Sequence, residues 1–385
     1  MIRRRGSSPA AALEDDDMLG EILLRLPPRP SSLPRASAVC KRWRGLITDH
    51  GFHRRFYAHH HKPPLLGVFQ FHHGDQLEFT PILAALNRIP PKRFDLRIRE
   101  VDRHAYVGPQ AQLLGCRHVR VLVLHRMNAE VLVCDPITGD RRHVPIPPEF
   151  RVGYVKGTVL CAAHDKGHVH GACHSTPFKV VLLVMCHNDS PPLASVYSSE
   201  SDTWGDIFSA KAPCPIYSGG RLSTLVGNAF YWPLMHANDG ILEFDLDRQS
   251  LDVLEGPPGT DIPLGHQIIP AKDGTIGIAM LSRHYHDIQM WPRKVNSHGV
   301  GTWVMWKTIG THSIPELPPQ IEGEKPWVKF ILGYDEDTDG IILYVKHNVY
   351  MVQLKSMQCR RLFGSWNVTH YHCFKSFYAP AALHN

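Results

Sequence analysis

Zinc-ligand residue types are concentrated in one short segment of this 385-residue chain. Its members are Cys161, His164, His168, His170, Cys173 and His174. Cysteine thiolates and neutral imidazoles are the ligands that zinc prefers in proteins. On a strand His168 and His170 would share a face, and a site would require them to meet Cys161 or Cys173. The spacings match no standard zinc finger, and 26 histidines are spread along the chain, so we predict no metal and no cofactor. A metal-dependent hydrolase built on this segment is the enzymatic alternative.

Other residues that do chemistry show no catalytic pattern. The sequence has no Gly-x-Ser-x-Gly nucleophile elbow, no His-Glu-x-x-His zinc motif and no P-loop. The acidic run from Asp335 to Asp339 ends at Gly340 and predicts a solvated turn. The run from His59 to His61 predicts a solvated helix end. We therefore predict no catalytic residue and no enzymatic activity.

Composition and charge limit the class of protein. Hydrophobic residues make up 43% and charged residues 20% of the chain, as in ordered globular proteins, and no window has the roughly 18 apolar residues of a membrane span. Nine cysteines without C-x-x-C pairs favour reduced thiols, and hence the cytoplasm or the nucleus. The net charge of +6 is spread thinly, but the stretch from Arg25 to Lys62 is much more basic than the rest of the chain. An acidic partner and a solvated helical face both explain it, whereas no nucleic-acid reader motif accompanies it.

Hydrophobic periodicity predicts a small helical domain over residues 13–58, after a flexible tail over residues 1–12. Two apolar stripes at three- and four-residue spacing consist of Met18, Leu19, Ile22, Leu23 and Leu26, and of Leu33, Ala36, Val39, Cys40 and Trp43. Pro27 and Pro28 end the first helix, because proline lacks the amide donor. A bundle of under about 50 residues has little core, so we expect it to need a partner or a neighbouring domain.

Residues 62–385 predict an all-β domain of many short antiparallel strands. A unit of strand, turn and strand recurs, and Tyr197, Phe244 and Trp291 follow each other at intervals of 47 residues. A propeller blade has about 40 to 50 residues, so we predict a propeller-like (kelch-like) domain, with a long β-sandwich as the alternative. Five tryptophans lie in or beside predicted strands: Trp204, Trp232, Trp291, Trp303 and Trp306. Most should be core, and one or two could line a recognition surface.

Residues 21–47 resemble the F-box, and closely its plant version. Residues 62–67, 196–200, 225–232, 241–246 and 376–378 are similar to the F-box-associated domain of grass F-box proteins. F-box domains bind the small acidic Skp-type adaptor of Skp, cullin and F-box (SCF) ubiquitin ligases. The resemblance places the adaptor-binding group at Leu19, Leu23, Leu26, Pro27, Val39, Cys40 and Trp43.

The resemblance implies a non-catalytic substrate-recognition adaptor of an SCF E3 ubiquitin ligase. Its partners would be the Skp-type adaptor, through it the cullin and RING subunits, and an unknown protein substrate held by the β domain. No nucleic acid and no membrane is expected. One departure matters: Glu14 and Asp15 stand where the family usually has a Leu-Pro pair, with Leu13 one place early. The alternative is therefore a non-ligase scaffold with a degenerate F-box.

Overall fold

The computed structural model describes most of the chain after the first fourteen residues. The described residues are 15–71, 77–94, 96, 111–163, 167–185, 190–211, 222–234, 240–257, 265–282, 285–319, 329–365 and 371–378. The predicted tail over residues 1–12, together with Leu13, Glu14 and His164, lies outside them. Within the described residues no helix is long and apolar enough to cross a membrane.

Four helices form the N-terminal module. They are α1 (Asp16–Leu24), α2 (Ser32–Ser37), α3 (Lys41–Thr48) and α4 (His50–His60). Their apolar side chains meet in one core, and six of its helical members are at most 5% exposed: Leu19, Leu23, Leu24, Ile47, Phe52 and Phe56. The Asp49 side chain accepts a hydrogen bond from the Phe52 amide at 2.7 Å and so caps the start of α4. The module therefore has a small core of its own.

The β domain begins with two strands and continues as successive antiparallel sheets. The first strands are β1 (Leu65–Phe71) and β2 (Leu77–Pro81). The next sheet has β3 (Ala111–Arg117), β4 (Arg120–His125), β5 (Glu130–Cys134) and β6 (Arg141–Pro145). A further sheet has β7 (Tyr154–Cys161), β8 (Phe178–Met185), β9 (Leu193–Ser198), β10 (Thr203–Trp204) and β11 (Phe208–Ser209).

Three more sheets repeat the same up-and-down order. One has β12 (Thr224–Val226), β13 (Ala229–Pro233), β14 (Ile241–Asp245) and β15 (Ser250–Leu254). The next has β16 (His266–Pro270), β17 (Ile276–Leu281), β18 (Asp287–Val295), β19 (Gly301–Trp303) and β20 (Lys307–Gly310). The last has β21 (Lys329–Asp335), β22 (Gly340–Val345), β23 (Asn348–Gln353) and β24 (Cys359–Gly364), and β25 (His372–Lys375) follows.

The sheets are the six blades of a β-propeller, which confirms the predicted fold class and rules out the long β-sandwich. The 47-residue interval is a structural one, because Tyr197, Phe244 and Trp291 all lie in the third strand of their blades. The same turn chemistry occurs at the end of two of the third strands: Asp135 Oδ1 and Asp245 Oδ1 each accept hydrogen bonds from two backbone amides. The recurring unit in the sequence is therefore the third strand and its turn.

The ring is closed by the two ends of the β domain. The C-terminal strand β25 pairs antiparallel with β1, which in turn pairs with β2, so one blade combines both ends. The first strands of neighbouring blades contact each other, as β3 does with β7 and β16 with β21. In the closing blade β25 takes this position and contacts β3, so these strands surround the central axis. Phe374 of β25 is fully buried and contacts the rings of Phe69, Phe79 and Phe94 at centroid distances of 5.4, 6.3 and 5.4 Å.

We expect Phe374→Ala to lower the free energy of unfolding by about 3 to 5 kcal/mol, because it leaves a cavity where the ring closes. Leu86→Ala is the control, since the Leu86 side chain is 77% exposed and its loss should change stability by less than about 0.5 kcal/mol. Urea denaturation followed by tryptophan fluorescence measures both. Equal midpoints for the two variants would contradict the role assigned to Phe374.

Candidate functional site

Helix α1 starts at an aspartate rather than at a Leu-Pro pair. The Asp15 carboxylate accepts hydrogen bonds from the amides of Asp17, at 2.8 Å, and Met18, at 3.2 Å. These amides have no partner inside the helix, so Asp15 is the N-cap. Asp16 and Asp17 in the first turn add negative charge where the helix dipole favours it. The departure from the family pattern is therefore compatible with a well-formed first helix.

The first apolar stripe divides into a buried half and an exposed half. Leu19 and Leu23 are 0% and 1% exposed, whereas Met18 and Ile22, one position earlier in each case, are 49% and 41% exposed. Residues four apart share a helix face, so each pair forms one short row. The structure thus places Leu19 and Leu23 in the core of the module, while Met18 and Ile22, which the resemblance does not single out, lie on its surface.

The segment after α2 exposes further apolar surface. Val39 is 62% exposed. Cys40 and Pro27, which belong to the same predicted adaptor-binding group, are also exposed. Arg42 Nε donates to Asp16 Oδ1 at 2.7 Å, which holds the start of α3 beside the first turn of α1. We call Met18, Ile22 and Val39 the apolar face of the module. The remaining predicted residues, Leu26 and Trp43, are partly buried against the module core.

The helical module is packed on the propeller at the point where the ring closes. Tyr57 of α4 stacks on Phe377, two residues after β25, with ring centroids 4.7 Å apart and planes 28° from parallel. Phe377 is 5% exposed and belongs to the module core. Ser31 Oγ also donates to Asn87 Oδ1 of the propeller at 2.8 Å. The neighbouring domain therefore supplies the extra burial that the sequence predicts the small bundle to need.

Ion pairs cross the central channel near the ends of the first strands. Arg117 of β3 makes a bidentate pair with Glu336, whose Oε1 also accepts the Leu225 amide at 2.7 Å. Lys375 of β25 donates to both Asp335 and Asp337. The Asp335 side chain is fully buried, so the prediction of a solvated turn is wrong for this residue although the turn itself forms. Cations distant in the sequence account for its burial.

The Lys375 ammonium is held in its charged form. Burial alone would lower its pKa, but the charges of Asp335 and Asp337 outweigh burial and raise the pKa above its ordinary value of about 10.4. A raised pKa of a cation contributes stability that is fully present below the unfolded-state pKa and is lost only as the pH rises through the folded-state pKa.

A groove opens between the β16–β20 blade and the β21–β24 blade. Its volume is about 460 Å³, and its apolar wall includes Trp291 and Trp306. Trp306 is 52% exposed, and the Lys272 ammonium lies 4.5 Å from the centroid of its ring. Four lysines against two aspartates line the groove: Lys272, Lys294, Lys307 and Lys355, with Asp273 and Asp339. By contrast Trp232 is 1% exposed. Trp204, Trp291 and Trp303 are partly buried against hydrophobic clusters, so of the five tryptophans Trp232 alone is fully buried, fewer than predicted.

The structure brings together four of the six candidate zinc-ligand residues noted in the sequence. Cys161 ends β7, and His168, His170 and Cys173 come from the β7–β8 loop (residues 162–177), which has no strand in its described part. Their ligand atoms lie within 4.8 Å of one another. His174 points elsewhere, with Nδ1 2.7 Å from Asp135 Oδ2. The two histidines therefore meet both cysteines although neither histidine lies on a strand.

The two thiols of this cluster interact directly. A hydrogen bond from the Cys173 thiol lowers the pKa of Cys161, and His170 and Thr176 lower it further. The same hydrogen bond raises the pKa of Cys173, and burial adds to that rise.

A helical module packed on a six-bladed β-propeller defines the architecture of the described residues. Residues 15–55 match the F-box domain family. The chain therefore carries an F-box domain, which is typical of non-catalytic adaptor subunits of E3 ubiquitin ligases. An F-box domain joined to a six-bladed propeller fits an SCF substrate-recognition adaptor in general. No curated protein matches the chain.

Solved structures resemble the chain at the level of the fold alone. A chain of the nidogen/laminin complex is 10% identical with a TM-score of 0.39, over 79% of this chain and 95% of that chain. Hydrazine synthase of Kuenenia stuttgartiensis is 10% identical with a TM-score of 0.38, over 76% and 77%. The calcium-binding protein regucalcin of Agrobacterium tumefaciens is 10% identical with a TM-score of 0.36, over 67% and 75%. These values carry no argument about function.

We expect Lys375→Met to lower the free energy of unfolding by about 3 to 5 kcal/mol, because it leaves the Asp335 carboxylate buried without its cation. Lys355→Met is the matched control: Lys355 pairs with Asp339 but is 88% exposed, so its loss should cost less than about 1 kcal/mol. The difference between wild type and Lys375→Met should stay constant from about pH 6 to pH 9, since the raised pKa of Lys375 keeps it charged there. A difference that disappears within this range in urea denaturation would contradict the assignment.

Proposed function

We propose that this protein is the substrate-recognition subunit of an SCF E3 ubiquitin ligase. The F-box domain would bind a Skp-type adaptor and, through it, the cullin and RING subunits, while the propeller would hold a target protein. The observation that carries this proposal is the F-box domain at residues 15–55 on a β-propeller whose groove exposes Trp306. Catalysis would come from proximity, because tethering raises the effective concentration of target lysines near the ubiquitin-loaded enzyme.

The surface of the F-box domain suits a partner that is both apolar and acidic. The apolar face offers three side chains that are 41% to 62% exposed. The same module also exposes four basic side chains: Arg35, Lys41, Arg44 and Arg54. In such an interface the apolar anchors supply affinity, and the charges around them speed association. Because Leu19 and Leu23 are buried, we assign them the role of holding α1 in place, and we assign direct contact to Val39, Cys40 and Pro27 with Met18 and Ile22.

The groove at Trp306 is our candidate for target recognition. An exposed aromatic ring beside lysines binds extended segments that carry apolar and acidic side chains, because the ring supplies contact area and the ammonium groups select charge. We therefore propose an acidic peptide segment with at least one large apolar residue as the recognised part of the target. The described cysteines are all free thiols, which fits action in the reducing cytoplasm or nucleus.

We expect the double variant Ile22→Asp, Val39→Asp to weaken binding to a Skp-type adaptor at least about tenfold, because it puts charge on the apolar face without disturbing the core. Isothermal titration calorimetry with purified plant Skp-type adaptors measures the change. Val152→Asp is the control, since Val152 is 75% exposed on the propeller and should leave affinity unchanged. If the folded wild-type chain binds none of several adaptors, the scaffold alternative, motivated by Asp15 at the helix start, replaces the ligase role.

We expect Trp306→Ala to reduce binding to an array of acidic, aromatic-containing peptides at least about tenfold, as for a central aromatic anchor. Met127→Ala is the control because Met127 is 53% exposed, close to the exposure of Trp306, and lies in the β4–β5 turn. Fluorescence polarisation with the strongest peptides measures both variants. Equal affinities for wild type and Trp306→Ala would exclude the groove as the recognition site without affecting the adaptor-binding proposal.

A further inference from the structure

Four zinc-ligand side chains converge where the β7–β8 loop meets the ends of the propeller strands. Cys161 Sγ lies 3.3 Å from His168 Nε2, and Cys173 Sγ lies 3.7 Å from His170 Nδ1. Both sulfurs are on buried residues, 8% and 0% exposed, whereas His168 is partly exposed and His170 is exposed. The cluster therefore has an apolar floor formed by the cysteines and a side that an ion can enter from solvent.

We propose that Cys161, His168, His170 and Cys173 bind one Zn²⁺ ion as a closed tetrahedral site that fixes the β7–β8 loop.

The geometry requires only a small contraction. Around a tetrahedral zinc, with bonds of about 2.0 to 2.3 Å, neighbouring ligand atoms lie about 3.3 to 3.8 Å apart. The printed pairs already lie at 3.3 and 3.7 Å, and the widest separation in the cluster is at most 4.8 Å. Two thiolates and two imidazoles are the soft and borderline ligands that select zinc over magnesium or calcium. Four protein ligands leave no position for a reactive water, so the site would be structural and not hydrolytic.

Groups around the cluster hold the ligands in place. His118, in the turn between β3 and β4, stacks on His170 with centroids 3.7 Å apart and planes 9° from parallel. The Cys161 amide donates to His118 Nδ1 at 3.0 Å, which fixes the orientation of the His118 ring. Thr176 Oγ1 lies 3.1 Å from Cys161 Sγ and donates to the Cys173 carbonyl at 2.9 Å. Such outer contacts orient metal ligands in established sites.

A buried arginine anchors the far end of the same loop. Arg120, 4% exposed, donates to the carbonyls of His174, at 3.3 Å, and Thr176, at 2.6 Å, and its guanidinium lies 5.0 Å from the Phe178 ring centroid. The loop is thus tied to the propeller on the C-terminal side of Cys173. A segment that is already held there loses less conformational entropy when an ion binds.

The loop that carries three of the ligands also supports the F-box domain. The Gly171 carbonyl accepts hydrogen bonds from the Phe377 amide at 2.9 Å and from Ser376 Oγ at 3.1 Å. Val169 and Ala172 pack against the F-box core together with Phe377. These contact residues of the loop lie between the ligands His168, His170 and Cys173 along the chain. An ion bound by the cluster would therefore fix the angle at which the F-box domain stands on the propeller.

The test is a cobalt titration of the full chain after reduction and removal of metal by a chelator. We expect one equivalent of Co²⁺ to give the thiolate charge-transfer and intense visible bands of tetrahedral S₂N₂ coordination, and Zn²⁺ to displace it. Cys173→Ser and His170→Asn should each abolish these bands. His170 is exposed, so His170→Asn should fold even if Cys173→Ser does not. His174→Asn is the matched control, since His174 adjoins Cys173 but bonds Asp135, and it should keep the bands.

A folded, reduced wild-type chain without these bands would overturn the site, as would bands that persist unchanged in His170→Asn. Limited proteolysis then separates the site from its role. We expect Zn²⁺ to slow cleavage between the F-box domain and the propeller in wild type and not in His170→Asn. Zinc binding without any change in cleavage would overturn the inference that the ion fixes the F-box domain. Both outcomes are independent of whether the protein binds a Skp-type adaptor.

Discussion

Closure of the ring by β1 and β25 is the constraint on which the other features depend. A propeller with an unpaired last blade exposes two sheet edges and the apolar faces of its neighbours, so pairing of the chain ends is needed to bury both. Because the F-box domain directly precedes β1 and Phe377 directly follows β25, closure also assembles the surface on which the F-box domain rests. The position of the F-box domain is thus a consequence of propeller topology.

Charged residues near the axis also connect the blade that closes the ring to its neighbours. Arg117, Glu336 and Lys375 come from three different blades and meet near the axis, where a propeller has no continuous hydrophobic core. Buried ion pairs add little net stability but penalise any arrangement that separates them. They therefore favour one register of the blades, and Lys375 in particular ties the closing strand to β21 and its turn.

The sequence predicted what local periodicity determines. The helices follow from apolar spacing within single segments, and the propeller class follows from a strand unit that recurs every 47 residues. The F-box resemblance likewise rests on one continuous segment. The carboxylate run could not reveal the burial of Asp335, because Lys375 lies 40 residues away in the chain. Nor could one stripe show that Leu19 turns inward and Met18 outward, since a nine-residue helix presents both rows and the packing partner decides between them. The sequence singled out the zinc-ligand residues but could not show that four of them meet, because their geometry depends on a loop held by Arg120 and His118 from another blade.

The stack of Tyr57 on Phe377 has a consequence for the order of synthesis. The ribosome completes the F-box helices before the propeller, but the aromatic ring that supports them follows the last propeller strand. During most of elongation the helices therefore have only their small core, and the bulk of the propeller is made before their support exists. A chain that ends prematurely would carry an F-box without a platform. Presentation of the F-box on the propeller thus requires that the chain has been translated as far as Phe377.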